Sequence, residues 1–480
     1  PFELHLKGLK RGTNRLVVQV DNRMHATDLP PGKVTVEGAP NGGWWNWGGI
    51  LRDVYLRRVR GIDISQTQVL PRVKCQRCSA SIAYRVTVRN YRRRAARVRV
   101  TTRFGSKRAT IGVGRVRGGS ARRFSGSVKI AKPKLWSPPH PTLYPVKISA
   151  SGGGSASWSI HSGVRQFTVR GGRLLLNGLP VNLRGVFLHE DGPGTGGAVT
   201  HGRMNLFFKL AHQIGATALR THYPMSPYIK EQADRRGFLI WEEVPVFQVS
   251  SKIMRKSAVR KKAIRMVRAD ILANSNHPSV FTWSVANELP VETTAVEARY
   301  FRESARAAHR LDPTRPVSTA TPGYASVGCR KAFKPLDLLG VNTYFGWYPG
   351  RMGALADRTK LGPFLDQARR CYPKLALMVT EFGAEANRNG PPEDRGTYAF
   401  QAKLNDFDLW TYSQKPWLSG AIGMLIEFHV RPGWFGGNPF PTQPLHQKAV
   451  FDFFGRPKPA AAVLSRWFHR TQQYDLPPGT

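Results

Sequence analysis

Acidic residues are scarce in this 480-residue sequence, where 30 Asp and Glu stand against 73 Lys and Arg for a formal net charge of +43. Such a charge favours solubility and attraction to polyanions, but it does not select a fold. The basic residues are spread over the whole length, with local runs at 91–100 and 255–262, and they form no basic tail. They match no zinc-finger, RRM or homeodomain pattern. We therefore expect most of them on solvated faces, with only nonspecific polyanion binding.

Long apolar runs are also missing. None approaches the roughly 20 residues that span a bilayer, so the sequence predicts no transmembrane helix. No signal peptide is visible, and localisation stays open. The sequence has four cysteines, Cys75, Cys78, Cys329 and Cys371. They are too few for a disulfide scaffold, and one Cys-x-x-Cys pair lacks the second pair that a structural zinc site needs, so we expect local thiols or one ordinary disulfide.

Cofactor motifs are absent as well: no Gly-rich dinucleotide loop follows a strand, and there is no His-Glu-x-x-His. We expect no cofactor and no metal centre, although the sequence leaves a divalent ion near His189 or Glu190 open.

The first third of the chain has the pattern of β structure. Strand-like runs at 15–21 and 53–59 are separated by Gly, Pro and Asn, and residues 1–60 are predicted to be one unit. Over 61–166, apolar and basic residues alternate in short segments, for example at 82–88, with turn residues between them. This pattern predicts a small immunoglobulin-like β-sandwich.

Beyond residue 166 the pattern changes to apolar strands alternating with helices. Apolar stripes mark helix candidates at 260–274 and 297–311, the second opened by a Thr294 to Glu297 capping box. Eight strand and helix repeats over about 310 residues have the length and rhythm of a (β/α)8 barrel, which we place at 167–480. The eight predicted strands are 181–188, 216–220, 238–241, 280–285, 317–319, 338–341, 375–379 and 420–426.

In a (β/α)8 barrel the catalytic residues lie at the C-terminal ends of the strands. Strand four ends in Asn287-Glu288 and strand seven in Thr380-Glu381. Two carboxylates across one mouth are what glycoside hydrolysis requires, one as a neutral acid and the other as an anion. An Asn before the acid suits a hydrogen bond to a sugar 2-hydroxyl. Taken alone, each Glu also fits a structural ion pair.

Ordered sequence blocks make the site hypothesis more specific, because the chain resembles glycoside hydrolase family 2, particularly its β-glucuronidase and β-galactosidase group. The resemblance extends over nearly the whole chain. It implies a barrel preceded by a sugar-binding jelly roll, of which residues 1–60 are the C-terminal part, and by an immunoglobulin-like domain. The matching blocks are residues 46–56, 176–191, 215–224, 237–245, 276–288, 337–348 and 380–384.

The family resemblance also implies roles for single residues. Glu288 is expected as the general acid/base and Glu381 as the nucleophile of a retaining mechanism, with Asn287 on the 2-hydroxyl. The resemblance places Tyr344 near the nucleophile and His189, Asp191, His222 and Tyr348 around the sugar.

Several of these residues also fit plainer roles. His189 and His222 fit structural histidines with satisfied hydrogen bonds, and Tyr348 fits a packing role in the wall. Glu242 and Glu243 are expected to be ion-pair or scaffold groups of the barrel.

Three departures from the family pattern bear on the sugar specificity and on the length of the chain. The last barrel strand lacks the usual Trp, whose place we assign to Met424 or Trp434. The Asn-x-Lys pair that reads a uronate carboxylate in glucuronidases is replaced by His446-Gln447-Lys448, in which Lys448 alone keeps the charge. Uronic acid specificity is therefore weakened. The N-terminal unit begins abruptly at Pro1, so we expect a truncated chain.

The sequence thus predicts a retaining β-glycosidase that hydrolyses terminal β-linked sugars, β-galactosides or β-glucuronides, with a carbohydrate substrate as its partner. Two other classes stay open: a catalytically inactive relative that binds glycans, and a polyanion-binding protein. The sequence leaves the sugar and the oligomeric state open.

Overall fold

The computed structural model describes residues 3–475 except residues 5, 7, 33–42, 44, 324–327, 349–355 and 435. Its architecture is a closed parallel barrel preceded by β-rich segments, which confirms the fold class predicted from the sequence. The boundaries 1–60, 61–166 and 167–480 stay predictions.

The β-sandwich is built from two antiparallel sheets. Alternation of apolar and polar residues decides which side of each strand is buried, and Ile82, Tyr84 and Val86 are 0–1% exposed while Arg89 faces solvent. One sheet has the order β1-β2-β5 and the other β4-β3-β6-β7. The strands are β1 Ile62–Val73, β2 Ala80–Asn90, β3 Ala96–Phe104, β4 Lys107–Val116, β5 Ala121–Ile130, β6 Tyr144–Ser151 and β7 Ser155–Ser162.

The three-stranded sheet of the sandwich docks on the barrel. The Gln66 side-chain amide donates to the Leu272 carbonyl at 2.8 Å, and the Arg85 guanidinium donates to the Leu311 carbonyl at 2.6 Å. The opposite, four-stranded sheet consequently turns its outer face away from the barrel.

A small sheet closes the bottom of the barrel. Its strands are β8 Phe167–Arg170, β9 Arg173–Leu176 and β10 Leu179–Pro180. Leu174 packs in one cluster with Trp136 and with barrel-interior residues such as Leu239 and Met378. Because this apolar layer fills the lower end, polar chemistry is confined to the upper end of the barrel.

The barrel consists of eight parallel strands, and each contains part of a predicted segment, so the eight strand predictions are confirmed. The barrel strands are β11 Leu183–Phe187, β12 Ala218–Arg220, β13 Leu239–Glu243, β14 Val280–Asn287, β15 Val317–Gly323, β16 Leu338–Thr343, β17 Ala376–Glu381 and β20 Gly420–Met424. Short strands in the upper loops are β18 Ala386–Arg388, β19 Gly396–Thr397, β21 Phe428–His429 and β22 Leu445–His446.

Amphipathic helices surround the barrel, and the Thr294 capping box is present as predicted. Among the described residues, no helix is both long and apolar enough to cross a bilayer. The helices are α1 His201–Gln213, α2 Pro227–Arg236, α3 Ser251–Met254, α4 Ser257–Asn274, α5 Ala295–Leu311, α6 Leu361–Cys371, α7 Tyr398–Ser413 and α8 Pro459–Arg470, with 3-10 turns at Lys331–Phe333 and Arg358–Lys360.

The N-terminal strands predicted at 15–21 and 53–59 are wrong for the described residues, where neither segment joins a β ladder. Their apolar side chains are exposed, Val17 by 75% and Tyr55 by 81%. The apolar alternation supplies β propensity, but a strand also needs a partner for its backbone groups. The assignment of residues 1–60 to the end of a jelly roll stays a prediction.

The cysteines form two disulfides, Cys75–Cys78 and Cys329–Cys371, so the expectation of thiols or one disulfide is wrong. The second bond joins the loop after β15 to the end of α6. Its partners lie 42 residues apart, and only the barrel topology brings them together.

Candidate active site

The upper end of the barrel gathers a polar cluster on strands that are otherwise apolar. Such groups are costly to bury unless they are paired, so their partners identify the roles that they can take. Parallel register brings the strand ends to one level, as in the pairing of Asn342 with Glu381. The polar residues at or directly after the strand ends are Arg220, His222, Glu243, Asn287, Glu288, Asn342 and Glu381.

Glu381 is held through both carboxylate oxygens. Arg220 Nη1 lies 2.9 Å from Oε1, and the Tyr344 hydroxyl donates to Oε2 at 2.7 Å. Burial and the Glu381 charge raise the pKa of Tyr344 well above its ordinary value, so this hydroxyl stays protonated and donates. The Glu381 carboxyl group is thus fixed in position beside a guanidinium and a phenol hydroxyl.

Arg220 is the hub of a buried charge network. Its Nη2 lies 3.1 Å from Glu243 Oε2 and donates to Asn287 Oδ1 at 2.8 Å. Glu243 also pairs with His222 Nδ1 at 2.9 Å. Burial raises the pKa of Glu243, but Arg220 and His222 outweigh it and hold that pKa below its ordinary value. The network keeps Glu243 ionised and fixes the orientation of Arg220 toward Glu381.

Glu288 lies in a different electrostatic setting. It follows β14 with φ of 49°, a left-handed conformation that is uncommon outside glycine and common at functional sites. Asn342 Nδ2 donates to Oε1 and Gln248 Nε2 to Oε2, each at 2.8 Å. Burial and the nearby Glu381 charge nevertheless raise its pKa. Glu288 therefore has the character of an acid, whereas Glu381 is paired with the Arg220 guanidinium.

Asn287 has a buried side-chain amide, and its oxygen and nitrogen differ in their hydrogen bonding. Its Oδ1 accepts from Arg220 and, at 3.1 Å, from Asn342 Nδ2. Its Nδ2 has no hydrogen-bond partner among the described residues. A buried donor without a partner costs about 1–3 kcal/mol, so a ligand hydroxyl that accepts from it gains that amount back.

An aromatic column forms one wall of the mouth. Phe428 stacks on His189 with centroids 4.0 Å apart and on His446 at 4.6 Å, and His446 stacks on Trp434 at 4.9 Å. Trp434 thus lies at the mouth, while Met424, the other residue predicted for the missing Trp position, packs in the barrel interior. Stacked rings of this kind suit the apolar face of a sugar.

Lys448 lies buried in an aromatic cage, with 2% exposure. Its Nζ donates to the Tyr348 hydroxyl at 2.7 Å and lies 4.8 Å from the Tyr344 ring centroid and 5.2 Å from that of Trp434. Burial lowers its pKa, although Glu385 and the two candidate catalytic carboxylates oppose this shift. No carboxylate of the described residues lies within ion-pair distance, so Lys448 is a cation that lacks an anionic partner.

The N-terminal segment 45–52 contributes a second wall. Trp47 packs edge-on against His429 at 5.5 Å, and Arg52 forms an ion pair with Glu190 at 2.6 Å. Asp191 Oδ2 accepts from the backbone and from Nδ1 of His429, both at 2.7 Å. The other oxygen of Asp191 is buried without a hydrogen-bond partner among the described residues. These contacts leave one acceptor for a ligand hydroxyl at this wall.

The structure brings the sequence-predicted site residues to one mouth, and it confirms the ion-pair interpretation of Glu242, which contacts Lys230 at 2.9 Å, and of Glu243. Sequence reasoning assigned no site role to Arg220 and Asn342, although both stand at strand ends, and it missed Gln248, His429 and Trp47. Gln248 and His429 stand in loops and have no pattern of their own. Trp47 lies in a matching block but gave no sign that it reaches the barrel. In the described part of the chain, no group of three or more His, Cys, Asp and Glu side chains is placed to hold a metal ion.

A closed barrel with two carboxylates of opposite character in a polar, aromatic-lined mouth defines a glycoside hydrolase. Comparison with known families agrees. The family model "Glycosyl hydrolases family 2, TIM barrel domain" matches residues 167–391, and the model "Glycosyl hydrolases family 2" matches residues 62–165. The chain belongs to glycoside hydrolase family 2.

Similar curated proteins include β-glucuronidases and a β-galactosidase. A β-glucuronidase of Paenibacillus borealis is 28% identical over 95% of this chain and 77% of its own length. A β-galactosidase of Thermoanaerobacter pseudethanolicus is 27% identical over 66% of this chain and 42% of its own length. Several other curated β-glucuronidases are covered over only 57–61% of their length.

The fold is also similar to solved structures. The β-galacturonidase of Eisenbergiella tayi bound to galacturonate superposes with a TM-score of 0.84 and 23% identity, over 95% of this chain and 79% of that one.

Proposed function

We propose that this protein is a retaining β-glycosidase that removes terminal β-linked uronic acid residues. The observation that carries the proposal is the pair of carboxylates with opposite electrostatic settings beside a buried lysine without an anionic partner. A β-galactosidase activity is the second candidate, because a named relative is a β-galactosidase and the Asn of the uronate-reading pair is His446 here.

In the first step, Glu381 attacks the anomeric carbon while protonated Glu288 gives its proton to the leaving oxygen. The glycosidic bond breaks, the aglycone leaves as an alcohol, and the sugar becomes an ester of Glu381. Arg220 holds the attacking carboxylate in place, and the Tyr344 hydroxyl, at 2.7 Å, steadies its second oxygen. Burial and the nearby Glu381 charge raise the pKa of Glu288, which favours the protonated form that this step requires.

In the second step, Glu288 is a carboxylate and takes a proton from water as the water attacks the anomeric carbon. The ester bond breaks and Glu381 returns as an anion, with the β configuration kept. Asn287 Nδ2 supplies a hydrogen bond to the 2-hydroxyl, which strengthens as charge develops on the ring.

Recognition of the uronate is assigned to Lys448. A buried ammonium group without a carboxylate partner in an aromatic cage gains a charge-assisted hydrogen bond to an anion only when the ligand brings that anion. Asp191, His189, His222 and Tyr348 then surround the remaining hydroxyls.

Hydrolysis of a panel of aryl β-glycosides tests the proposal: glucuronide, galacturonide, galactoside, glucoside and mannoside. We expect turnover of a uronide in preference to the neutral sugar with the same ring hydroxyls. Turnover of galactoside alone would select the second candidate. A folded protein that turns over no sugar would contradict both and favour a glycan-binding or polyanion-binding role.

A substitution of Gln248 tests how hydrogen bonding sets the pKa of Glu288. Its amide donates to Glu288 and stabilises the anion, so Gln248→Leu should raise the pKa of Glu288 further. Glu288 must be protonated to act as the acid, and the basic limb of the kcat/KM profile should therefore move to higher pH. Because a hydrogen bond to a charged group is lost, kcat/KM at the optimum should fall about tenfold. Gln414→Leu, at an exposed helix end, is the control, and an unmoved limb would contradict the assignment.

A further inference from the structure

The sandwich carries a charge imbalance that the proposed activity does not use. Residues 62–162 contain 21 Lys and Arg but one acidic residue, Asp63, and no acidic residue occurs again before Glu190. Asp63 is itself paired with Arg57. Local acidic residues therefore cannot neutralise the sandwich.

Part of this charge is arranged as one surface, which we call the basic face. It is the outer face of β4, β3 and β6, and its cations lie side by side across the strands. Arg103 stands opposite Arg108 on one side and Lys147 on the other, and Arg97 stands opposite Arg115. The basic face consists of Arg97, Arg99, Arg103, Arg108, Arg115 and Lys147, all exposed.

Such an arrangement is costly for an isolated protein. Like charges directly opposite each other on neighbouring strands destabilise a sheet, and strands lie only about 4.8 Å apart. No ion pair to a carboxylate relieves any of the six cations in the described part of the chain. The face is also free, because the other sheet of the sandwich is the one that docks on the barrel through Gln66 and Arg85.

The chemistry of the face selects the kind of polyanion. Its other outward side chains include Thr101, Ser149 and the exposed Val113, and it presents no Phe, Tyr or Trp on which a base could stack. It is a flat sheet without a helix that could enter a duplex groove. An array of closely spaced cations across three strands instead matches a polymer that carries a carboxylate on every sugar.

We infer that the basic face is a binding site for an acidic polysaccharide, a polyuronate chain, separate from the active site. The choice of a polyuronate rests on the proposed function, because an enzyme that removes terminal uronic acids meets such chains as substrates. The contact with residues 272 and 311 lies at the C-terminal ends of α4 and α5, which lead into the starts of β14 and β15 at the end of the barrel opposite the mouth. The face therefore anchors the polymer rather than extending the sugar pocket. Anchoring raises the local concentration of chain ends without adding a contact in the active site.

The test compares two variants of equal net charge. The face variant carries Arg97→Gln, Arg99→Gln, Arg103→Gln and Arg108→Gln. The control variant carries Lys256→Gln, Lys261→Gln, Arg265→Gln and Arg268→Gln, which removes four exposed cations without an ion pair from the region of α4. Binding of polygalacturonate, dextran and single-stranded DNA is measured at 50 and 200 mM salt.

We expect the face variant to bind polygalacturonate at least about tenfold more weakly than the control variant at 50 mM salt, with a shallower salt dependence. Aryl glycoside hydrolysis should stay unchanged in both variants. Equal loss of polymer binding in both would overturn the inference, since the charge would then act only as a diffuse field. Tighter, face-dependent binding of DNA than of polygalacturonate would overturn it too.

Failure of the proposed function is a separate result. It would appear as absent aryl glycoside turnover, while face-dependent polygalacturonate binding would still support the site.

Melting of the free protein gives a second readout that needs no ligand. Salt should raise the melting temperature of the natural protein and of the control variant more than that of the face variant, because salt screens the opposed arginines.

Discussion

Glu381→Gln is expected to abolish glycoside hydrolysis, with kcat falling about 10⁴- to 10⁶-fold. The amide is nearly isosteric with the carboxylate but cannot form the glycosyl ester, so the first step stops. Arg220 and Tyr344 contact both oxygens of the natural carboxylate, and Arg220 would lose its closest charged partner at the mouth. Initial rates on an aryl β-glycoside measure the loss.

Glu288→Gln should give a different pattern, which tells an acid/base from a nucleophile. An aryl leaving group of low pKa departs without protonation, so the first step should persist and a covalent glycosyl-enzyme should accumulate, seen by mass spectrometry of the intact protein. Azide, which needs no general base, should restore turnover to this variant but not to Glu381→Gln.

Glu231→Gln serves as the control for both changes, because Glu231 is an exposed carboxylate on α2 and is not one of the site residues. It should keep natural activity. Equal melting temperatures across the variants would show that the losses are not caused by unfolding. Substantial turnover by Glu381→Gln, without azide, would remove Glu381 from the role of nucleophile.

Lys448→Met is expected to reduce kcat/KM for an aryl uronide about 10²- to 10³-fold while leaving the matching neutral glycoside within a few-fold. Loss of one partner of a buried charge pair costs about 2–5 kcal/mol, since the ligand carboxylate would enter the aromatic cage unpaired. Met keeps the length and the packing against Tyr344 and Trp434. The ratio of the two substrates is the measurement, because a general packing defect would lower both.

Tyr348→Phe is the companion variant. It removes the hydroxyl on which Lys448 is hydrogen-bonded but keeps the cation and the ring. Its effect on the uronide should be about tenfold, smaller than that of Lys448→Met. If Lys448→Met lowered both sugars equally, recognition of a carboxylate by this lysine would be refuted.

The barrel could be predicted from the sequence because its strands are short apolar runs that end in polar residues. This pattern is visible in the local sequence, without knowledge of long-range contacts. Asn287-Glu288 and Thr380-Glu381 stand at strand ends, and parallel strands bring such ends to one level. Topology and the chemistry of glycoside cleavage made Glu288 and Glu381 candidates, and the family resemblance supplied their separate roles.

Features that depend on long-range packing could not be read in the same way. Gln248 reaches Glu288 through a loop conformation with φ of 49°, which no propensity indicates. Cys329 and Cys371 meet only once β16 and α6 are in place. The strands predicted at 15–21 and 53–59 failed for the same reason, because apolar alternation does not specify a partner.

The wall that Trp47 and Arg52 form bears on the order in which the molecule becomes competent. The ion pair of Arg52 needs Glu190, which is synthesised 138 residues later. The contact of Trp47 needs His429, which is synthesised later still. At a synthesis rate of 5–20 residues per second, Trp47 spends roughly 20–80 s outside the ribosome before its partner emerges. Completion of the pocket is therefore a late event of high contact order, and segment 45–52 reaches its final place only after several hundred later residues have been made.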